Sequence, residues 1–146
     1  MSVKASTGLR NALLVTGPLR SLFSLGFINL YGGTPPANAD DAPSGTLLCK
    51  ISNAGSATGL TFAATASGGE LPKTVSEVWN GICSAGGVCT HYRLVSSSDN
   101  GAASATDVRV QGTVGSAGAD LVITNATLSS GATQTIDYYS VYLPTV

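Results

Sequence analysis

The sequence predicts an all-β domain: an antiparallel β-sandwich, with a jelly roll among the arrangements its strand number allows, preceded by a short helical N-terminal segment. Three observations predict it. Gly, Ser, Thr and Ala fill 70 of the 146 positions, a composition suited to turns and small outward strand faces. Several segments alternate apolar and polar residues with period two, the mark of a half-buried strand. Gly-rich punctuation separates those segments at short intervals. With 43 % hydrophobic residues, the chain can fill one core of moderate size, and the low hydrophobicity that disorder requires is missing.

The N-terminus reads as helical. Ser6 or Thr7 can cap, and Leu9, Ala12, Leu13 and Thr16 then fall on one face. Gly17-Pro18 interrupts, and Leu19, Leu22 and Phe23 form a second apolar face that Gly26 ends. Residues 6–24 thus form two short helical stretches with a break. We divide the chain into an N-terminal helical segment or arm, 1–25, and a β-sandwich domain, 26–146.

About eight strands follow. Phe27 to Tyr31 is β-branched and aromatic, and Gly32-Gly33-Thr34-Pro35-Pro36 stops it. Residues 34–45 read as a polar loop. Thr46 to Ser52 is a strand with Leu47, Cys49 and Ile51 on one face and Lys50 on the other. Gly59 to Ala63 and Val75 to Trp79 are short strands, the second ended by Asn80-Gly81. In Val88 to Val95, alternation sets Val88, Tyr92 and Leu94 against Cys89, His91 and Arg93. In Asp107 to Val114, Val108, Val110 and Val114 oppose Asp107, Arg109, Gln111 and Thr113. Ala119 to Thr124 places Leu121 and Ile123 together. The longest strand, Thr133 to Leu143, has Ile136, Tyr138 and Tyr142 on one face and Tyr139, Val141 and Leu143 on the other, so both sides are expected to be covered.

Charge and motifs exclude several function classes. Seven scattered Lys and Arg residues and a formal net charge of −1 do not make the basic cluster that direct nucleic-acid binding needs. Pro18 and Arg20 break the longest apolar stretch of the N-terminal region, so no membrane-spanning helix is expected. Lys4, Arg10, Leu13-Leu14-Val15 and Ala37-Asn38-Ala39 imitate a secretory signal. The uninterrupted apolar run, Ala12 to Val15, is too short for one.

Chemistry-bearing constellations are sparse. Cys49, Cys83 and Cys89 make an odd count with one histidine, His91. No zinc site and no cofactor are expected from that set, and the thiols read as small buried groups in a reducing compartment. A bridge between Cys83 and Cys89 is geometrically possible. His91 is the sole imidazole that could serve a Cys83 nucleophile, but it reads better as an exposed histidine on a polar strand face. Asp40-Asp41 reads as part of a solvated loop, and Glu70 and Glu77 do not pair as acid and base. Tyr138, Tyr139 and Tyr142 could form a sugar-binding platform, but alternation explains them as core with an interface anchor. No catalytic residues are expected.

Several stretches resemble a family of small virion proteins of tailed double-stranded-DNA bacteriophages. They are Lys4 to Arg10 (KASTGLR), Gly26 to Pro36 (GFINLYGGTPP), Gly45 to Ser52 (GTLLCKIS), Gly59 to Phe62 (GLTF), Glu77 to Gly81 (EVWNG), Arg109 to Asn125 (RVQGTVGSAGADLVITN) and Gly131 to Pro144 (GATQTIDYYSVYLP). The resemblance implies a non-enzymatic structural component, foremost a capsid decoration or cement protein on the outer surface of the virion. Such a protein binds the major capsid protein across subunit joints and is expected as a homo-oligomer on a symmetry axis. A tail or tail-fibre component with a receptor- or carbohydrate-binding β-sandwich is the rival. For capsid attachment the expected anchors are Leu9, Leu13, Leu22 and Phe23, whose short apolar stripe needs a cover, either a partner or the chain's own sheet.

Overall fold

The computed structural model describes residues 3–143 and 145; residues 1, 2, 144 and 146, at the ends of the two expected segments, lie outside it. The elements run β1 (Lys4–Ala5), α1 (Thr7–Val15), α2 (Leu19–Leu22), β2 (Phe27–Gly32), β3 (Leu47–Asn53), β4 (Glu70–Pro72), β5 (Trp79–Ile82) and β6 (Gly87–Val95). Then come β7 (Arg109–Gly115), β8 (Leu121–Val122), β9 (Thr127–Leu128), β10 (Thr133–Ile136) and β11 (Ser140–Tyr142). The fold is all-β and sandwich-like with few helices. Strands pair in the order β1-β7-β6-β2-β3-β5-β10, with β8 beside β7 and β9 beside β6, while β11 and β4 form a separate pair. The named pairings are antiparallel except β7–β8.

Register explains the core. Ile28 lies opposite Ile51 and Leu94, and Leu30 opposite Cys49 and Tyr92. Val110 lies opposite Leu94. Directly opposed residues share a face, so these side chains form one apolar surface, and all are buried. An aromatic cluster packs on it. Tyr139 meets Tyr92 edge-on at 5.7 Å and Trp79 at 5.9 Å, and Phe62 meets Trp79 at 90°. The hydroxyls of Tyr92 and Tyr139 lie 3.2 Å apart, giving each buried phenol a polar partner.

The opposite face of β2, β6 and β7 differs from expectation. Arg93, Arg109, Gln111 and His91, expected on outward polar faces, are all buried. The segment between β2 and β3 covers them. Gln111 donates to the Pro36 carbonyl (2.9 Å), Arg93 to that of Asn38 (3.2 Å) and Arg109 to that of Ala39 (3.3 Å). Arg109 also grips Asp99 through two bonds of 2.5 and 2.9 Å. The Arg109 guanidinium can be buried because the carboxylates of Asp99 and Asp107 and the carbonyls of Ala39 and Ala102 occupy its donors.

Other expectations need correcting locally. Leu47, expected inward, is partly exposed, whereas Leu48 is buried. The register slips there, with Leu30 opposite Cys49 but Tyr31 opposite Leu47, so a bulge resets the alternation. Val75–Val78 is not a strand, and Val75 is 92 % exposed. Glu77 holds the turn by accepting from Thr61 N–H (3.0 Å), the Thr61 hydroxyl (2.7 Å) and the Trp79 indole (2.8 Å). Asn80-Gly81 does not end β5 but lies inside it, Asn80 paired with Ser52 and Thr135 and Gly81 with Gln134. A Cβ on Gly81 would sit 2.0 Å from the Lys50 carbonyl oxygen, so only glycine permits that approach. The segment from Gly59 to Ala63 contributes isolated bridges at Leu60 and Phe62 rather than a strand. The expected long C-terminal strand is broken into β10, on β5, and β11, on β4. That change of partner turns Tyr138 and Tyr142 outward and Tyr139 inward.

Candidate functional site

The most distinctive surface feature is built by the N-terminal segment. It has its two expected helices, but it is stitched into the sheet. Lys4 and Ala5 pair with Gln111 and Val110 of β7. Ser6, 1 % exposed, is the N-cap of α1. Its hydroxyl oxygen accepts from Leu9 N–H and from Arg109 N–H, both at 3.0 Å, and donates to the Asp107 carbonyl at 2.7 Å. Asp40 adds a second cap, accepting from Thr7 N–H (2.8 Å) and the Thr7 hydroxyl (2.7 Å). These two bonds hold its carboxyl below the usual carboxylate range, and the charge sits at the helix end that favours an anion. Gly8 lets the first turn lie directly on the backbone of Thr106 and Asp107.

The two halves of α1 therefore differ. Leu9 is in the core, whereas the last turn projects, with Leu13 at 36 %, Leu14 at 82 % and Val15 at 86 % exposure. The four expected anchors divide accordingly. Leu9 and Phe23 are 2 % and 0 % exposed and are spent on the chain's own interior, so neither is offered to a partner in this conformation. Leu22 packs partly against the same core. Leu13 alone of the four borders the projecting ridge, which Leu14 and Val15 dominate. Helical periodicity missed those two because it selects the stripe facing the chain's own sheet. Their signal was the uninterrupted Leu13-Leu14-Val15 run, which continues beyond the width of that stripe.

Cys83 and His91 are not brought together as a dyad. Cys83 lies across the sheet from Cys49. His91, fully buried rather than exposed, stacks on Tyr31 with ring centroids 5.3 Å apart and planes 15° apart. The Thr90 hydroxyl lies 2.6 Å from the Gly33 carbonyl and 2.9 Å from His91 Nδ1. Its single proton goes to the carbonyl, so Nδ1 carries the hydrogen and Nε2 is a bare lone pair. Nε2 has no hydrogen-bond partner. Burial, with the Arg93 cation second, pushes the imidazole down to about 4. It is therefore neutral at pH 7. Among the described residues, no group of three or more His, Cys, Asp or Glu could hold a metal ion.

A second feature is a cleft of about 380 Å³ whose lining includes Asp120, Thr124, Thr135, Asp137, Tyr138 and Ser140. Asp120 is occupied, accepting from Thr113 N–H (2.8 Å) and the Thr113 hydroxyl (2.9 Å). The Tyr138 hydroxyl donates to Glu70, and this bond lowers the Glu70 carboxyl from its ordinary value. Tyr138 remains 66 % exposed, so its ring presents a face at the rim. The sequence treated Tyr138 as core; its outward position follows from the break between β10 and β11.

Among the described residues no helix is long and apolar enough to cross a membrane. Comparison of the chain with protein-family models, curated proteins and solved structures found no match.

Proposed function

We propose that this chain is a non-enzymatic structural component of a bacteriophage particle, assembled in the host cytoplasm. On this reading it decorates the outer capsid surface and binds the major capsid protein across subunit joints as a homo-oligomer. The observation that carries the reading is the last turn of α1. Leu14 and Val15 are more than four-fifths exposed, yet the helix that carries them is fixed to the sheet at its first turn through Ser6, Asp40 and Gly8. An apolar ridge on a rigid mount loses little conformational entropy on docking, so its burial goes into affinity. The sequence resemblance to small phage virion proteins supplies the identity of the partner. A decoration protein adds contact area that capsid expansion or rupture must break, repeated over many equivalent copies.

The test is sedimentation of the purified chain with empty capsids, comparing wild type with the L14S/V15S double variant. Wild-type binding, with at least tenfold weaker binding by the folded variant, is expected. Undiminished variant binding removes α1 as the attachment element, and absence of wild-type binding overturns the capsid reading. A tail or tail-fibre role is the second reading, and one observation favours it. The cleft beside Tyr138 combines hydroxyls, a carboxylate and an exposed aromatic face, the chemistry that suits a sugar ring. Cryo-electron microscopy of the intact particle separates the two locations.

A further inference from the structure

We propose that Cys49 and Cys83 form an oxidative modification site, at which a small-molecule disulfide such as oxidised glutathione installs a cross-strand bond between β3 and the end of β5. The pairing departs from the one the sequence offers, since Cys83 and Cys89 are nearer along the chain. The register of Ser52 with Asn80 and Asn53 with Trp79 continues to Cys49 opposite Cys83. Both cysteines therefore project to the same face of the sheet.

The backbone shows which kind of pair this is. Cys83 N–H donates to the Ala132 carbonyl at 2.8 Å, and the Cys83 carbonyl accepts from Gly131 N–H at 2.7 Å. Both groups thus point away from β3. The bonds of this register fall on alternate pairs instead: Ser84 N–H donates to the carbonyl of Leu48 in the adjacent pair (2.9 Å), and, further along, Ala54 N–H donates to that of Val78 (2.6 Å). Cys49 and Cys83 are a non-hydrogen-bonded pair, whose Cα atoms lie about 4.5 Å apart in antiparallel sheets. That is within the span a disulfide bridges, roughly 4.4–6.8 Å. Both thiols are free and buried. Cys89 is engaged elsewhere: it pairs across the sheet with Gly32, and its sulfur lies 3.8 Å from the His91 carbonyl.

The reaction is thiol–disulfide exchange. The Cys83 thiolate attacks one sulfur of the small disulfide, whose S–S bond breaks and expels a small thiolate. The Cys49 thiolate then attacks the Cys83 sulfur of the mixed disulfide and expels the second small thiolate. The two cysteines lose two protons and two electrons, and one small disulfide is reduced to two thiols. Burial, with the neighbouring Cys83 thiol, pushes Cys49 up to about 12. The bond therefore forms slowly in the folded chain at neutral pH and readily while the sheet is open.

Refolding in a glutathione redox buffer removes access as an obstacle. The denatured chain is refolded in reduced plus oxidised glutathione, free thiols are alkylated, and linked peptides are mapped by mass spectrometry. The expected product is a Cys49–Cys83 link with Cys89 alkylated, which persists in C89S and is lost in C83S. The midpoint of thermal unfolding should rise by roughly 5–10 °C in the oxidised form, because the bond closes a long loop in the unfolded chain. A link involving Cys89, a glutathione adduct that never closes, or three alkylated cysteines at equilibrium would each overturn the proposal.

Discussion

Acidification from pH 7 to pH 5 should weaken the fold through His91. The imidazole is buried against Tyr31, its Nε2 has no partner, and its pKa is pushed down to about 4. In the unfolded chain the same group titrates near 6.5. Between those values the unfolded state takes up a proton that the folded state refuses, so stability falls as pH drops through the window and is fully present above it. At pH 5 the unfolded histidine is almost fully protonated and the folded one almost neutral, which costs about 2 kcal/mol. For a chain of this size that lowers the unfolding midpoint by roughly 4–8 °C. The assay is thermal unfolding by circular dichroism at both pH values, for wild type and H91Q. Glutamine is neutral throughout, and the carboxylates are common to both proteins, so the difference between the two pH-induced shifts isolates His91. Equal shifts in wild type and variant would refute the argument.

Three further outcomes follow from the mount of α1 and the buried layer. G8A should destabilise the chain by about 1–3 kcal/mol in urea titration, although alanine is the better helix former, because its Cβ would meet the carbonyl oxygens of Thr106 and Asp107 at 2.4 Å. A neutral or stabilising result would mean that α1 does not rest on that backbone. S6A removes a cap and strands the Arg109 N–H, with an expected loss of about 2–4 kcal/mol by the same titration. D99A leaves the Arg109 guanidinium buried without its bidentate partner and should cost about 3–5 kcal/mol, measured by guanidinium unfolding.

The sequence was most informative where local pattern and tertiary environment coincide. The inward positions of Tyr92 and Leu94 in β6 and Val110 in β7 were legible because they alternate with polar neighbours. The helices of the N-terminal segment were legible from Ser6 and Pro18. What was hidden depended on distant chain. Arg93, Arg109 and Gln111 read as solvent-facing because polarity is an intrinsic property, whereas their burial is conferred by carbonyls of residues 36–39. Asn80-Gly81 carries the chemistry of a turn, but strand pairing holds it extended. The exchange of Leu47 for Leu48 could not be seen, since a bulge is a property of two strands. At the candidate site the projecting Leu14 and Val15 were missed for a related reason. The periodic stripe marks what a helix hides, and Leu14 and Val15 lie on the side it leaves bare.

The two residues of β1 have a consequence of their own. They occupy part of the outer edge of β7, where bare N–H and C=O groups would otherwise offer a template for another copy's strand. Lys4 lies at this position with its ammonium bonded to the Ala37 carbonyl at 2.6 Å. A truncation designed to remove α1 would also strip this guard. Such a chain would be expected to polymerise edge to edge, and its lost binding would then report aggregation. Point changes at Leu14 and Val15 avoid that confusion, because they leave Lys4 and Ala5 paired on the edge of β7.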